Sequence, residues 1–157
     1  MLIQFENYLT FENIFLWGNF GILPFWFLLI LLPQSRFTQF FLNSIIIPLI
    51  LSIAYIYIIY QTFLMKESIV DIFKLYLSLD NLYTIFATES FLLAFWLHFI
   101  ALNLFMGTWI SKDSIKYNIS RKITFIPLIL VYFTGPTGLV LYWFLRVFYS
   151  KRLALHD

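Results

Sequence analysis

The residues that could do chemistry are concentrated in one apolar run, 90–111. Glu89 stands at its entrance, and Trp96, His98 and Asn103 lie within it. Burying an ionisable or amide side chain at membrane depth is costly, so such residues normally face a bundle interior or a cavity. On a helix Glu89, Trp96 and Asn103 fall near one line, whereas His98 points almost to the opposite side. The sequence therefore does not predict one contiguous catalytic face.

Each of these polar residues has a structural interpretation beside the chemical one. Glu89 is either an acid or base or a helix-end residue at headgroup depth. Asn103 is either a substrate contact or an interhelical hydrogen-bonding residue. His98 is either a ring bonded to a neighbouring helix or a proton carrier, because its reference pKa is near neutral.

Two further runs contain glycine and proline next to polar residues. Asn19 precedes Pro24 in the first run, and Gly135 and Pro136 interrupt the last one. Pro136 removes the amide that would bond to the carbonyl of Tyr132, which bends a helix, while glycines allow close backbone approach. We expect either a packing device or a mid-membrane opening for a flat apolar ligand.

Other chemistry is excluded by composition. The chain has no cysteine, so thiolate, disulfide and iron–sulfur chemistry cannot occur. His98 and His156 cannot form a haem-ligating pair inside the bundle, because His156 follows the last apolar run. We expect no metal site and no nucleic-acid partner.

The elements that must position these residues are membrane helices. Hydrophobic residues make up 62% of the 157 and charged ones 11%, which is not the composition of a soluble domain. Uncharged runs cover 13–35, 37–65, 90–111 and 123–145, and each exceeds the roughly 20 residues that a bilayer core requires. The sequence predicts a single all-α membrane domain of four transmembrane helices, at about 13–32, 41–65, 86–110 and 124–146.

A fifth, amphipathic segment lies between the second and third spans. Its polar residues recur at helical spacing: Glu67, Asp71, Lys74, Ser78 and Asn81. This pattern predicts a short helix over about 68–81 that lies flat in the membrane interface.

The positive-inside rule does not orient this four-span arrangement. One side would carry Lys66, Lys74, Arg146, Lys151 and Arg152. The other would carry Arg36, Lys112, Lys116, Arg121 and Lys122. The tie leaves only a weak preference for the dense 112–122 loop on the cytoplasmic or equivalent side.

Several motifs occur together in register. They are the 95–98 stretch FWLH, the 101–107 stretch ALNLFMG with Trp109, and the 135–139 stretch GPTGL with Tyr142 and Arg146. With Asn19, Leu23, Pro24 and Trp26 in the first run, the chain resembles the abscisic-acid-deficient-four-like family over roughly residues 11–146.

The resemblance implies an integral membrane protein that acts in converting the epoxy-carotenoid violaxanthin to neoxanthin. That isomerisation needs a base near carbon, an acid near oxygen and no redox cofactor. By position, Glu89, His98 and Asn103 would be catalytic. Asn19, Trp96, Gly135, Pro136 and Tyr142 would bind substrate. Asn103 stands where the family usually has an aspartate, and an amide cannot exchange a proton at neutral pH.

The alternative is a non-catalytic small subunit of a photosynthetic or respiratory membrane complex. Such a subunit would bind lipid or pigment and pack against partner subunits through its apolar surface. The expected partners are membrane lipid, a carotenoid ligand and, for a complex subunit, other membrane-protein subunits. No cofactor is expected beyond a bound carotenoid, chlorophyll or lipid. The expected location is a plastid thylakoid or envelope, a bacterial inner membrane or another organellar membrane.

Overall fold

The computed structural model describes residues 9–42, 46–64, 73–74, 76–151 and 153, and these contain helices and no strand. The all-helical prediction is confirmed for this part of the chain. The helices are α1 (Phe11–Leu31), α2 (Arg36–Phe41), α3 (Ile46–Ile59), α4 (Leu79–Phe86), α5 (Glu89–Lys116), α6 (Arg121–Thr134) and α7 (Pro136–Ser150). A π-helical segment, Tyr60–Leu64, continues α3.

The two longest helices, α1 and α5, run parallel in the centre. Gly18 of α1 lies against Leu97 and Ile100 of α5, and further along Trp26 lies against Gly107. A Cβ at position 107 would come within 2.7 Å of the Trp26 ring. The two helices therefore approach closely because a glycine on each one leaves room for a large side chain of the other.

Helix α3 packs on a second side of α5 and runs antiparallel to α1. The chain turns at α2, where Phe41 meets Phe25 of α1 at a ring distance of 6.3 Å. Near the other end of α3, Tyr57 lies in a groove that also contains Leu9 and Ile14. These contacts position α3 beside the N-terminal half of α5.

The predicted fourth span, 124–146, is wrong as a single crossing helix, because α6 and α7 form a tight antiparallel hairpin. Leu128 of α6 shares a cavity with Ser111 of α5, and Tyr142 of α7 bonds Asp113 of the same helix. Residues 128 and 142 thus lie at nearly the same level of α5. Helix α7 retraces α6 instead of continuing beyond it.

The reversal follows from three residues of the Gly-Pro-Thr-Gly motif. Gly135 ends α6 with φ +61°, a conformation that costs a non-glycine residue about 1 kcal/mol or more. Pro136 then starts α7, where the missing N–H is tolerated. At Gly138 a Cβ would collide with backbone atoms of Val131 and Pro127, so only glycine lets the two arms pack so closely.

The described part of the predicted interfacial helix is interrupted. Ser78 has an extended backbone, and its side chain caps a separate helix, α4, through the amide of Asn81. A continuous helix over 68–81 is therefore wrong at this point, because Ser78 begins a helix instead of lying inside one. Residues 65–72 and 75 of that prediction lie outside the described residues.

Within the described part of the chain two helices, α1 and α5, are long and apolar enough to cross a membrane, with mean hydropathies of 2.0 and 1.8 over their most apolar 18 residues. They coincide with the first and third predicted spans. Residues Ile46–Thr62 form a shorter apolar helix in place of the predicted span 41–65. The described residues therefore do not confirm four transmembrane helices.

Candidate functional site

A polar contact joins α1 to α5 through Trp96, a residue that also lines a groove between these helices. The Trp96 indole N–H donates to the side-chain oxygen of Asn19 at 3.0 Å. Asn19 in turn donates to the carbonyl of Phe15 at 2.8 Å, and the Phe15 and Trp96 rings lie 6.1 Å apart. The structure therefore brings together two of the predicted substrate-binding residues, Asn19 and Trp96, and fixes the indole plane.

The groove between the N-terminal halves of α1 and α5 carries two carboxylates. It has a volume of about 370 Å³ and is lined by Phe11, Glu12, Phe15, Glu89, Leu92, Leu93 and Trp96. Glu12 and Glu89 are both exposed, one in the first turn of each helix. We call this the carboxylate groove; it combines an apolar wall, an oriented indole and two acid–base groups.

Glu12 is a candidate that the sequence interpretation missed. It lies only one residue into α1, and an isolated glutamate in a first helical turn is normally explained by the helix dipole. The sequence feature that could have indicated its role is that Glu12 and Glu89 lie at the starts of the two longest apolar helices. Parallel packing of those helices is what puts both carboxylates beside one groove.

A second groove lies on the other side of α1. Its volume is about 430 Å³, and it is lined by Leu9, Ile14, Trp17, Gly18, Ile50, Leu51, Ile53, Ala54, Tyr57 and Leu97. None of the described residues in this lining is charged. This part of the groove fits an apolar chain.

His98 is not brought near Glu89. Its side chain is exposed, and its ring lies 5.7 Å from the Tyr55 ring of α3. Nine residues separate His98 from Glu89 on one helix, which is about 13 Å along the axis and about half a turn around it. The two side chains therefore cannot act together on one small group of a substrate.

Asn103 contacts the tip of the hairpin. It is 3% exposed, and its side-chain nitrogen donates to the Tyr132 carbonyl over 3.4 Å. Pro136 has no N–H to offer that carbonyl, so Asn103 partly replaces the missing backbone bond. A Cβ at Gly135 would meet the Asn103 side-chain oxygen at 2.5 Å. Asn103, Gly135 and Pro136 thus form one packing contact at mid-length of α5.

Tyr142 belongs to a buried ionic cluster that the sequence interpretation missed. Asp113 accepts a hydrogen bond from the Tyr142 hydroxyl and one from Nε of Arg146, each at 2.7 Å. Arg146 also donates to the Tyr117 hydroxyl at 3.1 Å, and its guanidinium lies 4.7 Å from the centre of that ring. Asp113 and Tyr117 are four residues apart on α5, as Tyr142 and Arg146 are on α7. This spacing, which puts each pair on one helix face, is the sequence feature that could have indicated the cluster.

This cluster joins α7 to the C-terminal half of α5. Arg146 is 1% exposed and Asp113 8%, so neither charge is solvated by bulk water. The hydroxyl of Tyr142 donates its hydrogen bond to Asp113 and does not face a groove in which it could bind a substrate. The described residues contain no group of three or more histidines and acidic side chains that could hold a metal ion.

Comparison with known proteins gives one family and one curated relative. A family model described as "ABA4-like: ABA DEFICIENT 4-like" matches residues 13–142. The relative is "Protein ABA DEFICIENT 4, chloroplastic" from Arabidopsis thaliana, 23% identical over 114 residues, which are 71% of this chain and 51% of that protein. The chain therefore spans about half the length of this curated relative. No solved structure matches it.

Proposed function

This chain belongs to the ABA DEFICIENT 4-like family, and from that premise we propose that it binds an epoxy-carotenoid within a membrane and isomerises it, as in conversion of violaxanthin to neoxanthin. The observation that carries the proposal is the carboxylate groove. It combines an apolar wall with two carboxylates and the indole that Asn19 orients.

The proposed membrane arrangement is multi-pass. Helices α1 and α5 contain 21 and 28 residues, or about 32 and 42 Å, enough to cross a hydrocarbon core of about 30 Å. Ile46–Thr62 would cross between them, at about 26 Å. The arms α6 and α7 have 14 and 15 residues, or about 21 Å each, which suits a re-entrant hairpin that enters and leaves on one side.

Within this arrangement the polyene would lie along Phe15, Leu92 and Trp96. The oxygenated ring of the carotenoid would then lie near the ends of α1 and α5, beside Glu12 and Glu89. A ligand that is apolar along its length and polar at its end matches a groove whose polar groups lie at one end.

The chemistry requires two proton movements and no electron transfer. A proton leaves the chain carbon next to the ring, the epoxide C–O bond at the ring breaks, and the oxygen takes up a proton. One carboxyl group of the groove would act as the base that takes the proton from carbon, and the other as the acid that delivers a proton to oxygen. Glu89 keeps the acid–base role that the family resemblance implies. Glu12 takes the role implied for His98, because the His98 ring lies beside Tyr55 of α3.

The test is pigment analysis of protein produced in cells that make violaxanthin. We expect violaxanthin to co-purify and an allenic product to accumulate. Glu89→Gln should retain the pigment and lower the amount of product by about 100-fold or more, which is the lower end of the range for general acid–base catalysis. Asp80→Asn, at an exposed position of α4, is the matched control. Wild-type protein that contains no carotenoid would refute the proposal.

A pigment-binding subunit without catalysis is the second candidate. It is favoured by Asn103, which contacts the hairpin tip and can neither donate nor take up a proton at neutral pH. In this case violaxanthin would co-purify unchanged, together with other membrane-protein subunits. Glu89→Gln would then change neither the bound pigment nor its composition.

A further inference from the structure

The hairpin places most of the positive charge at one end of the molecule. The ends of α1, α5 and α7 meet the start of α6 there. The cations on these segments are Arg36, Lys112, Lys116, Arg121, Lys122, Arg146 and Lys151. Among the described residues, Lys74 is the remaining Lys or Arg. The equal division of charge expected from the sequence is therefore wrong, because α7 returns to the side where α6 began.

This end contains a polar cavity between three helices. Its volume is about 260 Å³. The polar members of its lining are Gln34, Ser111, Ser114, Asn118, Ser120, Arg121 and Thr124. Ser111 and Ser114 are 4% and 6% exposed, so hydroxyl-bearing residues lie at the buried base of the cavity while Arg121 lies exposed at its rim.

Arg121 is held in place at this cavity. Its Nη1 donates to the Leu31 carbonyl at the end of α1 over 3.1 Å. A guanidinium has five N–H donors in a planar fork, so one fixed bond orients the group and leaves the others for a ligand. Ser120, the N-cap residue of α6, also lines the cavity and makes no side-chain capping bond, so no Ser120 side-chain bond occupies the first amides of α6.

An apolar groove adjoins the polar cavity at Arg121. This groove, of about 420 Å³, is lined by Ile30, Leu31, Arg121, Lys122 and Phe125. Ile30 and Arg121 line both spaces. The polar cavity and the apolar groove thus meet at Arg121, and a second cation, Lys122, lines the apolar groove. This arrangement suits an anionic amphiphile.

We propose that this end of the protein binds one anionic lipid, whose phosphate or sulfate headgroup lies at Arg121 and the polar cavity and whose acyl chain lies along Ile30, Leu31 and Phe125. Positive residues favour the cytoplasmic side or its equivalent, where anionic lipids also concentrate. The inference rests on the hairpin and on membrane insertion, and it is independent of any carotenoid.

The experiment compares lipids on protein purified in neutral detergent. Native mass spectrometry would count bound phosphatidylglycerol and phosphatidylcholine over a titration of each. We expect phosphatidylglycerol to bind at least about tenfold more tightly, since a charge-assisted hydrogen bond contributes about that factor. Equal binding of the two lipids would overturn the proposal.

Variants locate the site. Arg121→Gln should weaken phosphatidylglycerol binding by about tenfold. Lys122→Gln, which leaves the bond to Leu31 intact, should weaken it by about threefold. Arg36→Gln is the matched control, because Arg36 is an exposed cation of the same end that lines neither space. Loss of binding in Arg36→Gln equal to that in Lys122→Gln would show diffuse attraction and overturn the site.

A competition separates a lipid from a free anion. Inorganic phosphate at millimolar concentration should displace little phosphatidylglycerol, because it gains nothing from the apolar groove. Phe125→Ser should weaken the binding of phosphatidylglycerol and leave the binding of inorganic phosphate unchanged. If phosphate displaces the lipid completely, the site is an anion site and the lipid assignment fails.

Discussion

Replacing Asp113 by asparagine tests the buried ionic contact between α5 and the α6–α7 hairpin. In the native protein the Asp113 carboxylate accepts hydrogen bonds from Tyr142 and Arg146 on the same oxygen. Arg146 is almost fully buried, at 1% exposed. Asp113→Asn keeps the shape of the side chain but leaves the guanidinium buried without its counter-ion.

We expect a large loss in the free energy of unfolding, because the guanidinium of Arg146 stays buried and cannot reach bulk water. Breaking a buried ion pair by removing one partner destabilises a protein by about 3–5 kcal/mol. For a chain of this size 1 kcal/mol corresponds to about 2–4 °C in Tm, so the loss is about 6–20 °C. The double variant Asp113→Asn with Arg146→Met should recover most of it, since no unpaired charge is then buried.

The assay is thermal denaturation in detergent, followed by the fraction that remains monodisperse on size exclusion. Asp80→Asn makes the same chemical change at an exposed position and should alter the stability by no more than about 0.5 kcal/mol. A melting temperature for Asp113→Asn equal to that of Asp80→Asn would refute the structural role of the cluster. Failure of the double variant to regain stability would show that the hydrogen-bond geometry matters more than charge burial.

Further predictions concern helix packing and topology. Gly107→Ala would place a Cβ 2.7 Å from the indole of α1 and should destabilise the protein by about 1–3 kcal/mol, measured by the same melt. Gly21→Ala, which has no neighbour within 4 Å, should be neutral or stabilising by up to about 1 kcal/mol. Because the chain lacks cysteine, single cysteines in place of Lys122, Lys151 and Asp80 can be labelled in sealed vesicles with an impermeant maleimide. Positions 122 and 151 should label from one side and position 80 from the other; labelling of 122 and 151 from opposite sides would contradict the re-entrant hairpin.

The path of the fourth apolar run could not be predicted from the sequence. Residues 123–145 are uncharged and long enough to cross a membrane, and hydropathy does not distinguish a helix that crosses from two arms that return. The distinction depends on Gly135 at positive φ and on Gly138, where α6 and α7 touch through their backbones. The Gly-Pro-Thr-Gly motif was visible in the sequence, but a kink and a reversal have the same local signature.

The sequence by itself determined the helical class, the family and the concentration of polar residues in the third run, because these depend on composition, periodicity and local motifs. Only the tertiary structure decided which polar and charged residues of the chain contact one another. Asp113 and Arg146 are 33 positions apart, and Glu12 reaches the groove of Glu89 because α1 and α5 pack in parallel. The physical reason is that these contacts depend on how whole helices pack: α1 and α5 lie parallel, and the reversal that begins at Gly135 returns Arg146 to the level of Asp113.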